Sequence, residues 1–429
     1  MSRPALALAP ALVTLALLAS GASAGAAVRY AAPDGDGPEA SCPKPNPCSL
    51  LDAIESTATV AGDRIVLARG TYEVDESVNV ADQVTIQGVR GRTRATRVTY
   101  TGDPIPNFFI ESMHSTLRDF SIRASGVSNI LFQAAGGVVE RMHVSGSAQR
   151  ACNLGAADDE PVTVVRNTVC WNTQTNMTAL NHTAGLGENV AVTLRNVTAV
   201  SAGGGTSIGL ATNVIGAGTE LAVDARNVIA VGAGNDVVSE QHPASSTSAI
   251  VLRRSNFSSF DTIGGGTVTP PTENGNQIEE PVFADLGAGD FHQHRSSPTR
   301  DAGGRFPGLG GFDLDGHARI QGRGPDIGAF EFTARRCAGR APTVAGTARG
   351  ETLRGTRGTD VILGLAGSDQ LLGLGGNDLL CGGSANDRLA GGGGRDRFDG
   401  GAGGHDECKG GGGQDRLPAR NCETTASIP

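Results

Sequence analysis

Residues 364–399 read "GLAGSDQLLGLGGNDLLCGGSANDRLAGGGGRDRFD", a stretch in which an aspartate returns every nine positions. Each unit fits the pattern G-G-x-G-x-D-x-U-x, in which U is an apolar residue. Copies of this unit run through 355–418, and a weaker copy precedes them at 346–354. Because composition and period agree over so many copies, the stretch indicates a repeat architecture and not a low-complexity glycine linker.

The aspartates of the repeat are the predicted metal ligands. They are Asp360, Asp369, Asp378, Asp387, Asp396, Asp406 and Asp415. Glycines allow the left-handed backbone angles of tight turns, and carboxylates supply the charged oxygen ligands that Ca²⁺ prefers. Since two units make one coil, aspartates eighteen residues apart are expected to stack and to share an ion. We interpret Gly400 as an extra residue that shifts the phase, which would weaken the two aspartate pairs that span it.

These repeats resemble the repeat-in-toxin (hemolysin-type) calcium-binding β-roll over residues 346–418. The resemblance implies that the segment binds several Ca²⁺ ions and that binding drives its folding. Leu365 and Leu374 replace the second glycine of the pattern, Ala385 replaces the fourth, and nearby arginines nearly neutralise the aspartates. We therefore expect a modest affinity, about 10⁻⁴–10⁻³ M, as in other extracellular calcium modules.

A looser repeat precedes the nonapeptides. Six short segments align, namely "LRDFSI" (117–122), "VERMHV" (139–144), "VRNTVC" (165–170), "LRNVTA" (194–199), "ARNVIA" (225–230) and "LRRSNF" (252–257). Their steps of 22, 26, 29, 31 and 27 residues suit a coil of three short strands plus turns. Stacked coils would bring Asn167, Asn196 and Asn227 into register, where their side-chain amides can pair. The predicted fold is all-β: a right-handed parallel β-helix solenoid followed by the calcium-binding parallel β-roll.

The ends of the chain carry their own signals. Residues 1–24 combine a basic start, an apolar run and small residues before Ala24, which is typical of a secretory signal peptide, and no later segment is apolar enough to span a membrane. The stretch "CSLLDAIESTA" (48–58) predicts a helix, with Ser49 as N-cap, that covers the open N-terminal end of the solenoid. The predicted divisions are 1–24 signal peptide, 25–332 β-helix, 333–345 linker, 346–418 roll and 419–429 tail.

A second resemblance concerns residues 28–332. The motifs "CSLLDAI" (48–54), "GDRIVLARGTYEV" (62–74), "SPTRDAG" (297–303), "DLDGHAR" (313–319) and "PDIGAFEF" (325–332) resemble secreted bacterial right-handed parallel β-helix proteins of the choice-of-anchor type. The resemblance implies a secreted or surface solenoid whose closing segment caps its C-terminal end. The aspartates of that segment could bind a cation, but closure of turns onto backbone amides is the favoured role. They are Asp301, Asp313, Asp315 and Asp326.

Charge and cysteine content narrow the class of protein. The formal net charge of −9 argues against a nucleic-acid partner. Eight cysteines suit an oxidising, extracellular compartment. Proximity suggests the pairs Cys42–Cys48, Cys152–Cys170 and Cys408–Cys422, which leaves Cys337 with Cys381. Spacing alone leaves this connectivity open.

No catalytic residue is assigned from the sequence. The candidates are Asp158, Asp159 and Glu160 in one loop, Arg118, Arg166, Arg195 and Arg226 in successive coils, and His114, His143 and His182. Solvated charge and structural roles are the simpler interpretation of these residues. The sequence therefore favours a secreted, noncatalytic calcium-binding solenoid whose partner is an extracellular polysaccharide or a cell-surface protein. The alternative is a Ca²⁺-dependent polysaccharide lyase or glycoside hydrolase that acts through the groove of the β-helix.

Overall fold

The computed structural model describes residues 26–426, except 82, 102–107, 111–113, 133–135, 157–162, 186, 333–336, 339, 341, 347–348 and 403–404. Short strands dominate the described residues, which include a single α-helix, α1 (Leu50–Glu55). Ser49 accepts a hydrogen bond from the Asp52 backbone amide at 3.1 Å, so the predicted N-cap is confirmed. The buried face of α1, with Leu50 and Ile54, joins the apolar interior of the solenoid.

The first part of the chain is one continuous sheet of 21 strands wound into coils. The strands are β1 Val28–Ala31, β2 Arg64–Leu67, β3 Gly70–Val74, β4 Val78–Val80, β5 Thr85–Gln87, β6 Thr96–Tyr100, β7 Phe108–Ile110, β8 Thr116–Arg118, β9 Ser121–Phe132, β10 Val138–Glu140, β11 His143–Ala156, β12 Thr163–Asn172, β13 Thr178–Ala184, β14 Asn189–Ser201, β15 Ile208–Val214, β16 Glu220–Arg226, β17 Ile229–Gly232, β18 Asn235–Gln241, β19 Thr247–Arg253, β20 Phe260–Ile263 and β21 Thr267–Val268.

These strands pair in three parallel stacks, one for each side of a coil. The first stack runs β1-β2-β5-β8-β10-β12-β14-β16-β19-β21. The second runs β3-β6-β9-β11-β12-β14-β17, and the third runs β4-β7-β9-β11-β13-β15-β18-β20. Long strands such as β9 and β11 turn a corner and belong to two stacks. Three parallel stacks around an apolar interior define a parallel β-helix, as predicted.

The coil register confirms the alignment of the six segments. The residues in register are Leu117–Val139, Val139–Val165, Val165–Leu194, Leu194–Ala225 and Ala225–Leu252. The third residue of every segment has a positive φ, between 50° and 63°, and turns the corner between two stacks. Asparagine tolerates this conformation better than most residues. The Asn196 side chain donates to Asn167 at 3.1 Å and the Asn227 side chain donates to Asn196 at 3.0 Å, so the predicted asparagine ladder is confirmed.

The closing segment of the solenoid, residues 283–331, packs along its side and is called the flank segment below. It begins with an antiparallel hairpin, β22 (Phe283–Asp285) and β23 (Asp290–Gln293). Its apolar side chains, Phe291 among them, cover Val169 and Val200 on the outer face of the coils. The buried Arg319 guanidinium donates to the Asn167 side chain at 2.6 Å. The closing segment was expected to cap the C-terminal end of the solenoid; it packs along the side of several coils instead.

The C-terminal part of the chain is a roll of two parallel sheets with five strands each. One sheet contains β24 Val344–Ala345, β26 Val361–Ala366, β28 Leu379–Ser384, β30 Arg397–Ala402 and β32 Arg416–Arg420. The other contains β25 Thr352–Arg354, β27 Gln370–Gly375, β29 Arg388–Gly393, β31 Glu407–Gly412 and β33 Thr424–Ala426. The apolar position of the repeat, for example Leu371 and Leu380, fills the space between the sheets as predicted. The last strand lies beyond residue 418, where the sequence predicted a tail.

Four disulfides fasten the chain. They join Cys42 to Cys48, Cys152 to Cys170, Cys337 to Cys381 and Cys408 to Cys422. The pairing suggested by proximity is therefore confirmed, and the third bond ties the segment before the roll to its centre. Among the described residues, no helix has the length and apolar character needed to cross a membrane.

Candidate metal centre

Two columns of carboxylates run along the turns of the roll. The first column contains Asp360, Asp378, Asp396 and Asp415, and the second contains Glu351, Asp369, Asp387, Asp406 and Glu423. Within a column, the backbone amide of one acidic residue donates to a carboxylate oxygen of the next, at 2.8–2.9 Å between aspartates. This bond holds each side chain in one orientation, so the stacking at the coil repeat that the sequence predicted is confirmed.

Within the described part of the chain, the second carboxylate oxygen of six aspartates has no hydrogen-bond partner. These are the Oδ2 atoms of Asp369, Asp378, Asp387, Asp396, Asp406 and Asp415, and all six are shielded from solvent. A buried oxygen of a carboxylate that lacks a partner is costly, and a bound cation would remove that cost. Hard oxygen ligands on a glycine-rich backbone fit Ca²⁺ in particular.

The first glycine of each unit makes room for the carboxylate. A Cβ atom on Gly382 would lie 2.4 Å from Oδ2 of Asp387, and one on Gly391 would lie 2.1 Å from Oδ2 of Asp396. Gly364 and Gly373 stand in the same relation to the aspartates five residues further on, at 2.5 and 2.4 Å. The glycine of this position is thus required by the space that the ligand oxygen occupies.

Burial also changes the acidity of the columns. It raises the pKa of Asp378 and the pKa of Asp387 to about 6, and the negative charges of stacked neighbours add to the effect. Burial likewise raises the pKa of Asp369, Asp396 and Asp406. The folded roll therefore resists full ionisation of its columns unless a cation is bound.

Asp360 differs from the other six predicted ligands. Its Oδ2 accepts hydrogen bonds from the backbone and hydroxyl of Thr356, and its Oδ1 accepts one from Thr343 at 3.0 Å. The Thr356 backbone bond is the first cause of a lowered pKa for Asp360. Both oxygens of this carboxylate are thus already occupied by the protein, so Asp360 closes the N-terminal end of its column.

The position of the extra residue is a correction to the sequence analysis. Gly401 pairs with Gly383, and Gly400 lies against Oδ2 of Asp406 as the first glycine of its unit does elsewhere. The insertion therefore falls between Ala402 and Asp406 and not at Gly400. The Asp387 and Asp396 amides still donate to the next aspartates at 2.8 and 2.9 Å, so the stacking of the two pairs that span the insertion is kept.

Glu423 ends the second column and was not predicted from the sequence. Glu423 accepts a hydrogen bond from the Asp406 amide and so takes the place of the next aspartate. The signal was present, because Glu423 lies seventeen residues after Asp406 and next to Cys422. Among the described residues, no three His, Cys, Asp or Glu side chains converge on one point as a metal cluster. An ion in a column therefore needs backbone carbonyl oxygens as further ligands, which calcium sites commonly use.

The candidate catalytic residues of the β-helix do not form a site in the described part of the chain. Asp158, Asp159 and Glu160 lie outside the described residues. The four arginines have structural contacts: Arg118 with Gln87, Arg166 with Glu140, and Arg195 and Arg226 with Asp224. His114 is exposed, whereas His143 and His182 are buried, and burial lowers the pKa of each to about 3.

The aspartates of the flank segment close turns, as favoured from the sequence. Asp313 accepts from the backbone amides of His317 and Glu331, at 2.7 and 3.0 Å. Asp301 accepts from the Arg323 amide at 2.8 Å, and Asp326 accepts from the Asp301 and Phe332 amides. Asp315 instead binds the His292 ring at 2.6 Å. These contacts give the four carboxylates structural partners.

The fold and the columns define a class: a parallel β-helix joined to a calcium-binding roll. Residues 346–380 and 382–417 match the family model of the RTX calcium-binding nonapeptide repeat. The C-terminal part of the chain therefore carries RTX repeats, and the resemblance of residues 346–418 to the repeat-in-toxin roll is confirmed. A search among curated proteins finds no match.

Two solved structures are similar to the chain. One is the pectate lyase Pel9A, with 11% sequence identity and a TM-score of 0.39 over 72% of this chain and 97% of that one. The other is the A-module of the Azotobacter vinelandii mannuronan C-5 epimerase AlgE4, with 9% identity and a TM-score of 0.18 over 54% of this chain and 94% of that one. At these values the assignment of the fold rests on the strand pairings described above.

Proposed function

We propose that this protein is a secreted, calcium-binding β-solenoid whose roll folds around Ca²⁺ and whose β-helix binds an extracellular glycan or protein without catalysis. The six unpartnered Oδ2 atoms in two columns carry the proposal for the roll. Four disulfides support an extracellular location.

Calcium removes two costs of folding the roll: the repulsion between the stacked carboxylates and the lack of a partner for one oxygen of each. Its free energy of binding also offsets the backbone entropy that the glycine-rich turns lose when they order. A divalent cation supplies the missing partner and the missing positive charge. Since the columns exist only in the folded roll, the free energy of binding becomes free energy of folding. The ligands we assign are Asp369, Asp378, Asp387, Asp396, Asp406 and Asp415. Asp360 is not assigned as a ligand, because both of its oxygens already accept hydrogen bonds at the end of the column.

Calorimetric titration of the full chain with Ca²⁺ tests this assignment. We expect saturable binding of several ions, weakened about tenfold in the variant Asp387→Asn, which loses one charged ligand at the centre of a column. Asp399→Asn is the matched control, because Asp399 lies outside both columns and, among the described residues, its carboxylate accepts from the Asn421 side chain at 3.1 Å. Equal affinity of the two variants, or no binding by the wild type, would refute the role of the columns.

The binding role of the β-helix rests on its surface. Successive coils present long outer rows of side chains, a geometry that suits an extended ligand. In the described residues the four candidate arginines, at 118, 166, 195 and 226, are held in structural contacts. His182 lies in the interior, wholly shielded from solvent. We therefore favour binding over the lyase or hydrolase alternative. A panel of acidic and neutral polysaccharides, assayed for new reducing or unsaturated ends, should give none; release of such ends would establish the enzyme instead.

A further inference from the structure

A cleft of about 280 Å³ opens on the outer face of the β-helix, beside the flank segment. Arg94, Arg97 and Arg123 line it together with His143 and Trp171, and the turn at 287–288 forms one rim. The volume lies near the lower end of the range for small-molecule pockets, about 300–1,000 Å³. A cleft of this size suits one sugar ring, either free or as part of a chain.

The coil register brings the cleft residues together. Arg97, Ser121 and His143 are in register on β6, β9 and β11. Arg123 and Trp171 belong to the next outward-facing row, two residues further along, with Ser145 between them. Neighbouring strands lie about 4.8 Å apart and alternate residues share a face, so the rows form one surface. The residues between the rows point inward, as the buried Ile122 and Val144 show.

The cleft has cationic walls and no carboxylate among its lining residues. Arg94 donates to the Gly289 carbonyl at 3.0 Å, and its charge also acts on Asp290 and Asp315, although no salt bridge joins it to either acid within the described residues. Arg97 and Arg123 have no ion pair or side-chain hydrogen bond within the described part of the chain. They differ in this from Arg166 and Arg195, which bind carboxylates. Guanidinium groups without a carboxylate partner favour an anionic ligand, which they can hold with two parallel hydrogen bonds.

Two buried ring nitrogens point to the same conclusion. Nε2 of His143 and Nε1 of Trp171 are shielded from solvent and have no hydrogen-bond partner among the described residues. The His143 side chain is only 7% exposed. Burial lowers the pKa of His143 to about 3, and the charge of Arg94 lowers it further, so the ring is neutral. Buried polar groups normally have partners, and their lack here leaves polar groups available to a ligand.

The carboxylates of Asp290 and Asp315, which act on Arg94 and His143, cancel only part of this charge. Asp290 and Asp315 both bind the ring of His292, one at each nitrogen. These two hydrogen bonds outweigh the desolvation that opposes them and raise the pKa of His292 to about 9, so it remains a cation between the two acids. The two acids and the His292 cation together carry one net negative charge, which offsets part of the charge of the three arginines and leaves the cleft net positive.

We propose that this cleft binds the anionic group of an acidic glycan, a carboxylate or sulfate carried on a sugar ring. The arginines hold the oxyanion, and the buried His143 and Trp171 nitrogens contact ring hydroxyls or ring oxygens. The inference rests on the proposed glycan-binding function and assigns it a place and a ligand class.

Tryptophan fluorescence of the full chain tests the site directly, because Trp171 is the single tryptophan of the sequence. The titrants are an oligogalacturonate, a chondroitin sulfate oligosaccharide, a neutral cello-oligosaccharide and sodium sulfate. We expect a saturable change in emission with one or both acidic oligosaccharides. The variants Arg97→Gln and Arg123→Gln should each weaken it about tenfold or more, because a charge-assisted hydrogen-bond pair is lost. Which acidic oligosaccharide binds more tightly identifies the anion.

The controls separate this proposal from the broader function. Arg69→Gln removes the same charge from an exposed position of the β-helix outside the cleft and should bind as the wild type does. Unchanged far-UV circular dichroism shows that the variants fold. Equal response to the neutral oligosaccharide, or to sulfate alone, would overturn the acidic-glycan assignment. Binding of a glycan or protein on an array that is insensitive to Arg97→Gln and Arg123→Gln would overturn the cleft and leave the broader function standing; no binding to any array partner would overturn both.

Discussion

Gly391 and Gly393 lie two residues apart in β29 of the roll, yet their surroundings differ. A Cβ atom on Gly391 would meet Oδ2 of Asp396 at 2.1 Å, whereas one on Gly393 would meet nothing within 4 Å. We predict that Gly391→Ala displaces the ligand oxygen, destabilises the calcium-bound roll by roughly 1–3 kcal/mol, as overpacking does, and raises the Ca²⁺ concentration needed for folding. Gly393→Ala is the control and should leave that midpoint unchanged. Equal midpoints in a circular dichroism titration would contradict the role given to the first glycine.

Asp360 provides a second test at the level of single residues. Both of its oxygens accept hydrogen bonds, from Thr343 and Thr356. In Asp378 of the same column, Oδ2 has no partner among the described residues. Asp360→Asn should therefore leave calcium affinity nearly unchanged, while Asp378→Asn lowers it about tenfold by calorimetry. A comparable loss in both variants would show that Asp360 is a ligand after all.

The asparagine ladder tests the corners of the β-helix as an element. Asn196 has a φ of 54°, donates to Asn167 and to the Leu309 carbonyl, and accepts from Asn227. Asn196→Gly keeps the backbone conformation but loses these bonds, at roughly 1–3 kcal/mol. Asn196→Ala should cost about 1–2 kcal/mol more, because a Cβ atom is strained in this conformation without the local bonds of asparagine. Urea unfolding with Ca²⁺ present measures both; a glycine variant no more stable than the alanine variant would contradict the corner's role.

The acidic columns predict an unusual pH dependence for the calcium-free roll. The pKa values of Asp378 and Asp387 are raised to about 6, above the value of about 3.9 expected for an unfolded chain. Between these limits the folded roll binds more protons than the unfolded one, so its stability falls as the pH rises through 6. With calcium chelated, we expect more β structure by circular dichroism at pH 5 than at pH 7. The double variant Asp378→Asn, Asp387→Asn should flatten this dependence, and a wild-type signal that grows with pH would contradict it.

At the scale of the whole molecule, the sequence predicts what repeats. The period of nine places the columns and the inward apolar residues, the steps between coils place the asparagine ladder, and cysteine proximity places the disulfides. The first two follow from local chemistry that recurs along the chain, at a fixed spacing in the roll and at steps of 22–31 residues in the coils, so that every copy supports the same interpretation. The disulfides follow from closeness in sequence, with Cys337 and Cys381 as the remaining pair.

Contacts that do not repeat were beyond prediction. The flank segment has no period, and its contact between Arg319 and Asn167 joins residues 152 positions apart. Its path along the side of the coils depends on apolar packing that no spacing encodes. The cleft arginines come from separate coils, and only the register shows that Arg97 and Arg123 meet near Trp171. The inserted residue was misplaced for a related reason, because a glycine-rich turn can absorb it at several positions.

Hydrogen exchange of the full chain, with and without Ca²⁺ at pH 7, shows directly whether calcium folds the roll. The amides that link the columns, such as those of Asp378 and Asp387, donate to the next carboxylate and exist as bonded groups only in the folded roll. We expect calcium to protect residues 344–426 strongly, while protection in the β-helix stays nearly constant. Equal protection of the roll in the two conditions would contradict it.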